Sequence, residues 1–131
     1  MTRIVVPVRF PLGNASRGTL TYARKLADER DAELTVLHIN VYHHNRHVTR
    51  EELKREVEAH VGPIPNARFV VRSGFLVEEC ILEEAAAENA DVVVIGRRVS
   101  SRLRRTLDRL RSNPRVDAYL RTHLDCEVVT A

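Results

Sequence analysis

The sequence predicts an α/β fold in which a parallel sheet is covered by helices on both faces. Five short runs of β-branched and aliphatic residues alternate with longer segments whose apolar residues recur at helical spacing. The chain has 131 residues, 44% of them hydrophobic, so residues 1–131 fit one domain whose core needs no disulfide or metal. Such alternation indicates right-handed crossovers and places ligands outside the carboxyl ends of the strands, at the topological switch point.

The strands are predicted where a short apolar run is bounded by turn-forming residues. Ser73 and Gly74 are expected to turn the chain after the third strand. The five predicted strands are residues 3–8, 34–41, 67–72, 91–95 and 126–130.

The helices are predicted from apolar stripes and from capping residues. The first begins near Asn14 or Ser16, either of which can cap it, and the second opens with a capping box of Thr49 and Glu52. Gly62 and the prolines after it end the second helix. The third helix spans about residues 77–89 and the fourth residues 101–111, and residues 117–122 continue or restart the fourth.

Gly96 lies where an α/β chain would hold a phosphate, between the fourth predicted strand and an arginine-rich segment. A phosphate cradle needs backbone N–H groups close to the anion, and glycine permits the tight turn and the close approach. The sequence therefore predicts a phosphate-holding loop directly after Gly96.

Charge is concentrated in the same part of the chain. Residues 97–121 contain nine arginines against Asp108 and Asp117, a net charge of +7, whereas the remainder carries −4. Arginine outnumbers lysine nineteen to two in the whole chain, so part of this is composition, but guanidinium groups also suit bidentate phosphate contacts. The asymmetry favours an anionic ligand without identifying it.

The cysteines and the N-terminus indicate the compartment. Cys80 and Cys126 lie far apart inside apolar stretches, which favours buried, reduced thiols. No secretory signal and no membrane-spanning stretch is evident. We expect a cytoplasmic protein that does not enter the membrane.

Five segments, taken in order and spacing, resemble the universal stress protein family over essentially the whole chain. They are Ile4–Val8, Ala32–His38, Gly74 before the third helix, Asp91–Gly96 and Asp125–Val129. The resemblance implies a Rossmann-like, adenine nucleotide alpha hydrolase-like sheet in the order 3-2-1-4-5, with the first and fourth strands at the switch point. It also implies a stress-response or regulatory role and, in nucleotide-binding members, ATP at that point.

The nucleotide-binding members share a motif after the fourth strand: glycine, two residues, glycine, nine residues, then glycine with serine or threonine. Only Gly96 matches; Val99 stands at the second glycine, and Arg109 or the Asn113–Pro114 pair falls near the third. A β-branched residue disfavours positive φ, and proline offers no N–H. We therefore predict that the backbone cradle is lost and that no cofactor is bound in the usual way.

A second departure lies at the end of the first strand, where Arg9 replaces the acidic residue of the family's binders. Ile39 matches an apolar position that lines the family's adenine pocket, so ATP or another adenine nucleotide stays an open alternative. The candidate pocket consists of Val8, Arg9, Ile39, Gly96, Arg97, Arg98, Val99 and Asn113.

The resemblance also implies a homodimer, commonly formed through the last strand. An edge strand offers unpaired backbone groups to a symmetry-related copy. The candidate dimer edge consists of Glu127, Val128, Val129 and Thr130.

The arginine segment allows two interpretations. Residues 98, 102, 105 and 109 share one helical face, where guanidinium groups could replace the missing backbone donors. The alternative is a solvated outer face opposite Leu103, Leu107 and Leu110, which is the more common arrangement. If an anion does bind, Arg9 favours phosphate without Mg²⁺.

Other chemistry finds little support in the sequence. His43, His44 and His47 lie in a polar loop without a ligand at an obvious spacing, so we interpret them as solvated. Ser100 and Ser101 have no evident base, and the pairs Glu78–Glu79 and Glu83–Glu84 look solvent-facing.

We therefore predict a non-catalytic homodimer that acts by association with protein partners. A phosphate or nucleotide sensor with arginines at the switch point is the alternative. Nonspecific nucleic-acid binding by residues 97–121 ranks third, because no aromatic side chain is interleaved among Arg97–Arg115.

Overall fold

The computed structural model describes residues 2–42, 47–112 and 125–131 and shows a five-stranded parallel sheet. The strand order β3-β2-β1-β4-β5 confirms the predicted fold class. The strands are β1 (Arg3–Pro7), β2 (Glu33–Val41), β3 (Ala67–Gly74), β4 (Val92–Ile95) and β5 (Glu127–Thr130). β1 and β4 are adjacent at the centre, so the switch point lies at their carboxyl ends.

Helices cover both faces of the sheet. They are α1 (Asn14–Arg30), α2 (Arg50–Val61), α3 (Val77–Ala87) and α4 (Arg97–Ser112). α1 and α2 share one core cluster with the sheet, and α3 and α4 share the other. Residues predicted to lie between α4 and β5, including 117–122, fall outside the described residues.

Alternation along the strands separates the two cores. Ile4 and Val6 of β1 are buried toward α1 and α2, whereas Val5 between them is buried toward α3 and α4. The same period of two runs through β4, which is apolar on both sides as a central parallel strand requires. This double burial accounts for the short continuous apolar runs of the sequence.

The predicted capping box of α2 is confirmed. The Thr49 side chain accepts from the backbone N–H of Glu52 at 3.2 Å, and the Glu52 carboxylate accepts from the backbone N–H of Thr49 at 3.3 Å. Each group satisfies an otherwise unpaired donor of the first turn.

The predicted start of α1 near Asn14 is confirmed, but the predicted cap of α1 and the predicted turn at Ser73 and Gly74 are wrong for local reasons. Gly13, in extended conformation, is the N-cap of α1, so neither Asn14 nor Ser16 caps the helix. Ser16 instead accepts from the backbone N–H of Arg9 at 3.4 Å. Ser73 and Gly74 do not turn the chain, because β2 continues to Val41 and pairs with both residues.

Candidate functional site

The switch point is set by the register between β1 and β4. Ile4 pairs with Val92 and Val5 pairs with Val93. Because the two strands are parallel neighbours, Val8 and Gly96 both follow the carboxyl ends of the central strands. Two of the predicted pocket residues thus lie at the same edge of the sheet.

Gly96 is followed directly by a helix, without an intervening loop. α4 begins at Arg97, four residues earlier than predicted, and the Gly96 carbonyl accepts from the backbone N–H groups of Val99 and Ser100 at 3.2 Å each. The Val99 N–H therefore serves the first turn of α4 and is not directed at a ligand. The N–H groups of Val99 and Ser100 are therefore unavailable to a nest of backbone donors.

Glycine is not required at position 96 by the backbone or by its surroundings. Gly62 is the glycine with positive φ among the described residues. A Cβ added at Gly96 would lie 3.4 Å from Oγ1 of Thr19, at van der Waals distance. Gly96 thus keeps the position of the family motif without the conformational property that makes glycine useful there.

The start of α4 nevertheless carries unbalanced positive charge. Arg97 and Arg98 are exposed, the first turn contains no acidic residue, and neither side chain has an ion pair or hydrogen bond among residues 2–42, 47–112 and 125–131. The N-terminus of a helix is itself positive and has unpaired N–H groups. Arg9 is also exposed, at the end of the neighbouring strand. These three arginines are the candidate anion site.

The arginines predicted to share one face of α4 differ in whether they have an acidic partner. Arg102 Nε lies 3.3 Å from Glu78 Oε1, and Arg109 Nη2 lies 3.2 Å from Glu79 Oε1. These two arginines connect α4 to the first turn of α3. Of the predicted set, Arg98 and Arg105 keep no acidic partner in the described parts of the chain. Glu78 and Glu79, interpreted from the sequence as solvent-facing, are partners in these ion pairs.

The apolar pocket residues lie on opposite faces of the sheet. Val8 packs with α1 and α2, Ile39 packs with α3 and α4, and each is about nine-tenths buried. The Val8 carbonyl lies 3.0 Å from Nδ1 of His38, whose ring contacts Phe10 edge to face. Neither apolar residue therefore presents an open surface for a base, and Asn113 lies outside the described residues.

Two concavities occur among the described residues. One, of about 190 Å³, lies between α4 and β5. The other, of about 320 Å³, lies beside Phe10 and α2. Gly96 and Ile39 line neither of them.

β5 forms an edge of the sheet, as the predicted dimer strand should. Glu127 and Ala131 donate their backbone N–H groups to β4 and its neighbouring residue, so Val128 and Thr130, which alternate with them, point their backbone groups outward. Arg104 Nη2 donates to the outward Val128 carbonyl at 3.0 Å. Arg111 Nη2 donates to the Cys126 carbonyl at 3.3 Å. Arginines of α4 thus occupy acceptors of the exposed edge, a common way to protect an edge strand.

Among residues 2–42, 47–112 and 125–131, the hydrogen bonds of Ser100 include no base. Its hydroxyl lies 2.7 Å from Thr130 Oγ1 and accepts from Arg104 Nε at 3.2 Å. Nucleophilic attack requires a group that takes the hydroxyl proton, and neither contact supplies one. The arrangement joins α4 to the end of β5.

Cys80 and Cys126 are buried and free, and burial raises the pKa of both thiols. His47 is exposed, whereas His43 and His44 lie outside the described residues. No group of three metal-ligating side chains occurs in the described part of the chain.

None of the described helices is both long and apolar enough to cross a membrane.

A buried polar cluster beneath α3 was missed by the sequence interpretation. Glu84, interpreted as solvent-facing, is only 7% exposed, as is Glu88. Arg72 Nε donates to Glu84 Oε1 at 2.6 Å, and the Thr35 hydroxyl donates to Glu88 Oε1 at 2.7 Å. The i, i+4 spacing of the two glutamates was the available signal, but only packing shows that this side of α3 faces β2 and β3.

Comparisons with known proteins agree with this fold. The model of the universal stress protein family matches residues 1–131. No curated protein sequence matches the chain. Similar solved structures include UspA from Lactobacillus plantarum, at 18% identity and TM-score 0.57 over 98% of this chain and 96% of that one. A universal stress family protein from Burkholderia pseudomallei has 18% identity and TM-score 0.59 over 97% and 94%.

A third similar structure is a universal stress protein in complex with cAMP, at 15% identity and TM-score 0.53 over 97% of this chain and 95% of that chain. At these identities the structures show a shared fold, while the family model covers the entire sequence. The strand order and the position of Gly96 after β4 are those that the resemblance implied. The chain belongs to the universal stress protein family.

Proposed function

We propose that the chain is a non-catalytic, homodimeric stress-response protein of the cytoplasm that acts by associating with protein partners. Family membership supports the role in stress response. We further propose that it does not hold ATP as the family's nucleotide-binding members do. The loss of the usual ATP site is supported by the start of α4 at Arg97, because the Val99 N–H then bonds within the helix.

The non-catalytic part of the proposal is supported by the contacts of the available side chains. Ser100 is engaged by Thr130 and Arg104, and the buried glutamates are engaged by arginines and a threonine. Neither group combines an open cleft with a nucleophile and a base. The arrangements instead contribute to packing between helices and strands.

The homodimer is supported by the free edge of β5. Val128 and Thr130 point backbone groups outward, and a second copy could pair with them in an isologous arrangement. Arg104 would have to release the Val128 carbonyl for full pairing. This competition predicts a dimer that forms more readily when Arg104 is shortened.

Calorimetric titration with MgATP, combined with native mass spectrometry, tests the proposal. We expect a dimer mass and no heat of binding at micromolar ATP. Micromolar ATP affinity would contradict the lost cradle, and a monomer mass at all concentrations would contradict the dimer.

The second candidate function is an anion sensor, favoured by Arg97, Arg98 and Arg9 at the switch point. A cyclic nucleotide is anionic without a bound Mg²⁺, and one similar universal stress protein was solved in complex with cAMP. Titration with inorganic phosphate, cAMP and ADP at low and high salt tests this candidate. Binding that weakens with salt and with Arg97→Gln supports it, whereas absence of binding to all three removes it.

The same samples address nucleic-acid binding by residues 97–121, which we rank third. DNA or RNA binding that falls steeply with salt would support it. Failure to retain either polymer at modest salt would exclude it.

A further inference from the structure

Two glutamates are buried one helical turn apart beneath α3. Glu84 and Glu88 lie where the helix packs on β2 and β3, and each is 7% exposed. Carboxylates can only accept hydrogen bonds, so two buried neighbours of this kind repel each other unless one of them carries a proton.

The bonding of each oxygen shows where that proton belongs. Glu84 Oε1 accepts from Arg72 Nε at 2.6 Å, an arrangement that favours the charged form of Glu84. Glu88 Oε1 accepts from the Thr35 hydroxyl, and Arg68 Nη1 lies 3.4 Å away. Glu88 Oε2 is fully buried and has no donor among the described residues. An ionised Glu88 would therefore leave this buried oxygen without a hydrogen-bond donor.

We propose that Glu84 and Glu88 hold one shared proton in the folded protein, carried on Glu88 and donated to Glu84, and that loss of this proton loosens α3 from β2 and β3. The protonated Glu88 supplies the donor that neither carboxylate has. Arg72 then balances the single remaining charge. The proposal concerns the folding of α3 and is independent of the function proposed above.

The groups that face the pair come from every element around it. β2 contributes Thr35, and β3 contributes Arg68 and Arg72. α3 itself contributes Glu83, whose carboxylate lies 3.3 Å from Arg72 Nη1. β1 contributes Arg3, whose Nη1 donates to the Glu88 carbonyl at 2.9 Å. The arginines of α4 that contact α3 pair with Glu78 and Glu79, at the opposite end of that helix.

The direction of both titrations follows from these contacts. Burial raises the pKa of Glu88 to about 7. The hydrogen bond and the charge of Glu84 also raise this pKa, whereas Thr35 and Arg68 lower it. Burial opposes ionisation of Glu84 as well, but the hydrogen bonds from Glu88 and Arg72 outweigh it and lower the pKa of Glu84. Below about pH 7, the pair therefore divides into one acid, Glu88, and one carboxylate, Glu84.

The sign of the pH dependence is fixed by the raised pKa of Glu88. Between its ordinary value of 4.5 and about 7, the folded protein binds one more proton than the unfolded protein. Stability from this group is therefore complete below 4.5 and is lost as the pH rises through about 7. The contribution of Glu88 to the folding equilibrium constant should fall roughly a hundredfold between pH 5 and pH 8.

Urea unfolding of the full chain at pH 5, 6, 7 and 8 tests the proposal against Glu88→Gln. Glutamine keeps an acceptor for Thr35 and supplies a permanent N–H donor to Glu84, so we expect the variant to lose this hundredfold dependence. The difference between the two curves removes every contribution to the pH dependence that the two proteins share. Glu83→Gln is the matched control, because it removes an exposed carboxylate that contacts the same Arg72; its pH dependence should equal that of the unmodified protein.

A direct measurement keeps the proposal testable if Glu88→Gln fails to fold. Infrared difference spectra of the unmodified protein, recorded between pH 5.5 and 8, should show loss of one protonated carboxyl band. In Glu84→Gln, which lacks the anionic acceptor, that band should titrate at lower pH. Parallel unfolding curves for the unmodified protein and Glu88→Gln, or absence of a protonated carboxyl at pH 5.5, would overturn the proposal.

Discussion

The arginine beneath α3 has a buried acidic partner, whereas the arginines at the start of α4 are exposed and have none among the described residues. Arg72 contacts a carboxylate that is almost fully buried, whereas Arg97 and Arg98 are exposed and have no acidic partner in the described chain. Removing a guanidinium from a buried carboxylate leaves an uncompensated charge in the core. Removing one from an open helix end removes only positive charge. The first region should therefore determine stability, and the second should determine binding.

Arg72→Ala should give the largest effect, because it leaves Glu84 buried without its cation. We expect a loss of about 3 kcal/mol in the free energy of unfolding. Urea denaturation at pH 7 measures it. Arg102→Ala is the control, since its ion pair with Glu78 involves a half-exposed guanidinium and should contribute less than about 1 kcal/mol. Equal losses in the two variants would contradict the contrast between the regions.

Gly74→Ala and Gly96→Ala compare the two glycines that the family resemblance singled out. A Cβ at position 74 would overlap Sγ of Cys80, whereas a Cβ at position 96 would only touch Thr19. Overpacking of this kind should reduce the stability of Gly74→Ala by about 1–3 kcal/mol. Gly96→Ala should change it by less than about 1 kcal/mol. Thermal unfolding of both variants measures the difference, and a greater loss at position 96 would show that glycine is needed there.

Val128→Pro should weaken the proposed dimer, because the Val128 N–H points away from β4 and proline has none. We expect the dimer dissociation constant to rise at least about tenfold, equivalent to about 1.4 kcal/mol. Sedimentation velocity over a concentration series measures it. Val128→Ala keeps the N–H and is the control. An unchanged sedimentation coefficient in Val128→Pro would exclude β5 as the interface.

Arg97→Gln combined with Arg98→Gln should have the smallest effect on stability. Two cations beside the positive end of α4 are unfavourable, so their removal should leave the free energy of unfolding unchanged or raise it by about 0.3–1 kcal/mol. Phosphate binding, if present, should disappear in the same variant. Arg105→Gln, which removes an exposed charge farther along α4, is the matched control. A marked loss of stability would show that the two arginines have a structural partner.

The sequence was informative about the fold because alternating strands and helices, with doubly buried central strands, constrain the sheet to few arrangements. The runs 3–8 and 91–95 and the capping box of Thr49 and Glu52 could be interpreted from neighbouring residues alone. The family resemblance then supplied the strand order. The predicted end of an element was wrong where pairing with a neighbouring strand lengthened it. β3 continues to Gly74 because β2 pairs with it that far.

The candidate site was only partly predictable from the sequence. The position of Gly96 at the switch point follows from the order of elements, and the structure agrees with it. The winding of residues 97–100 into α4 depends on the competition between helix and loop, which a motif does not reveal. The division of the arginines among Glu78, Glu79, the β5 edge and solvent likewise depends on which helix lies beside which.

By itself, the sequence determined the class of fold, the family and the concentration of positive charge after β4, since these depend on periodicity, order and composition. The tertiary structure decided which charged groups are buried and which are paired. Glu84 and Glu88 appear in the sequence as ordinary helix-surface residues, and only the packing of α3 on β2 and β3 removes them from water. The physical reason is that desolvation and pairing depend on contacts between residues distant in sequence.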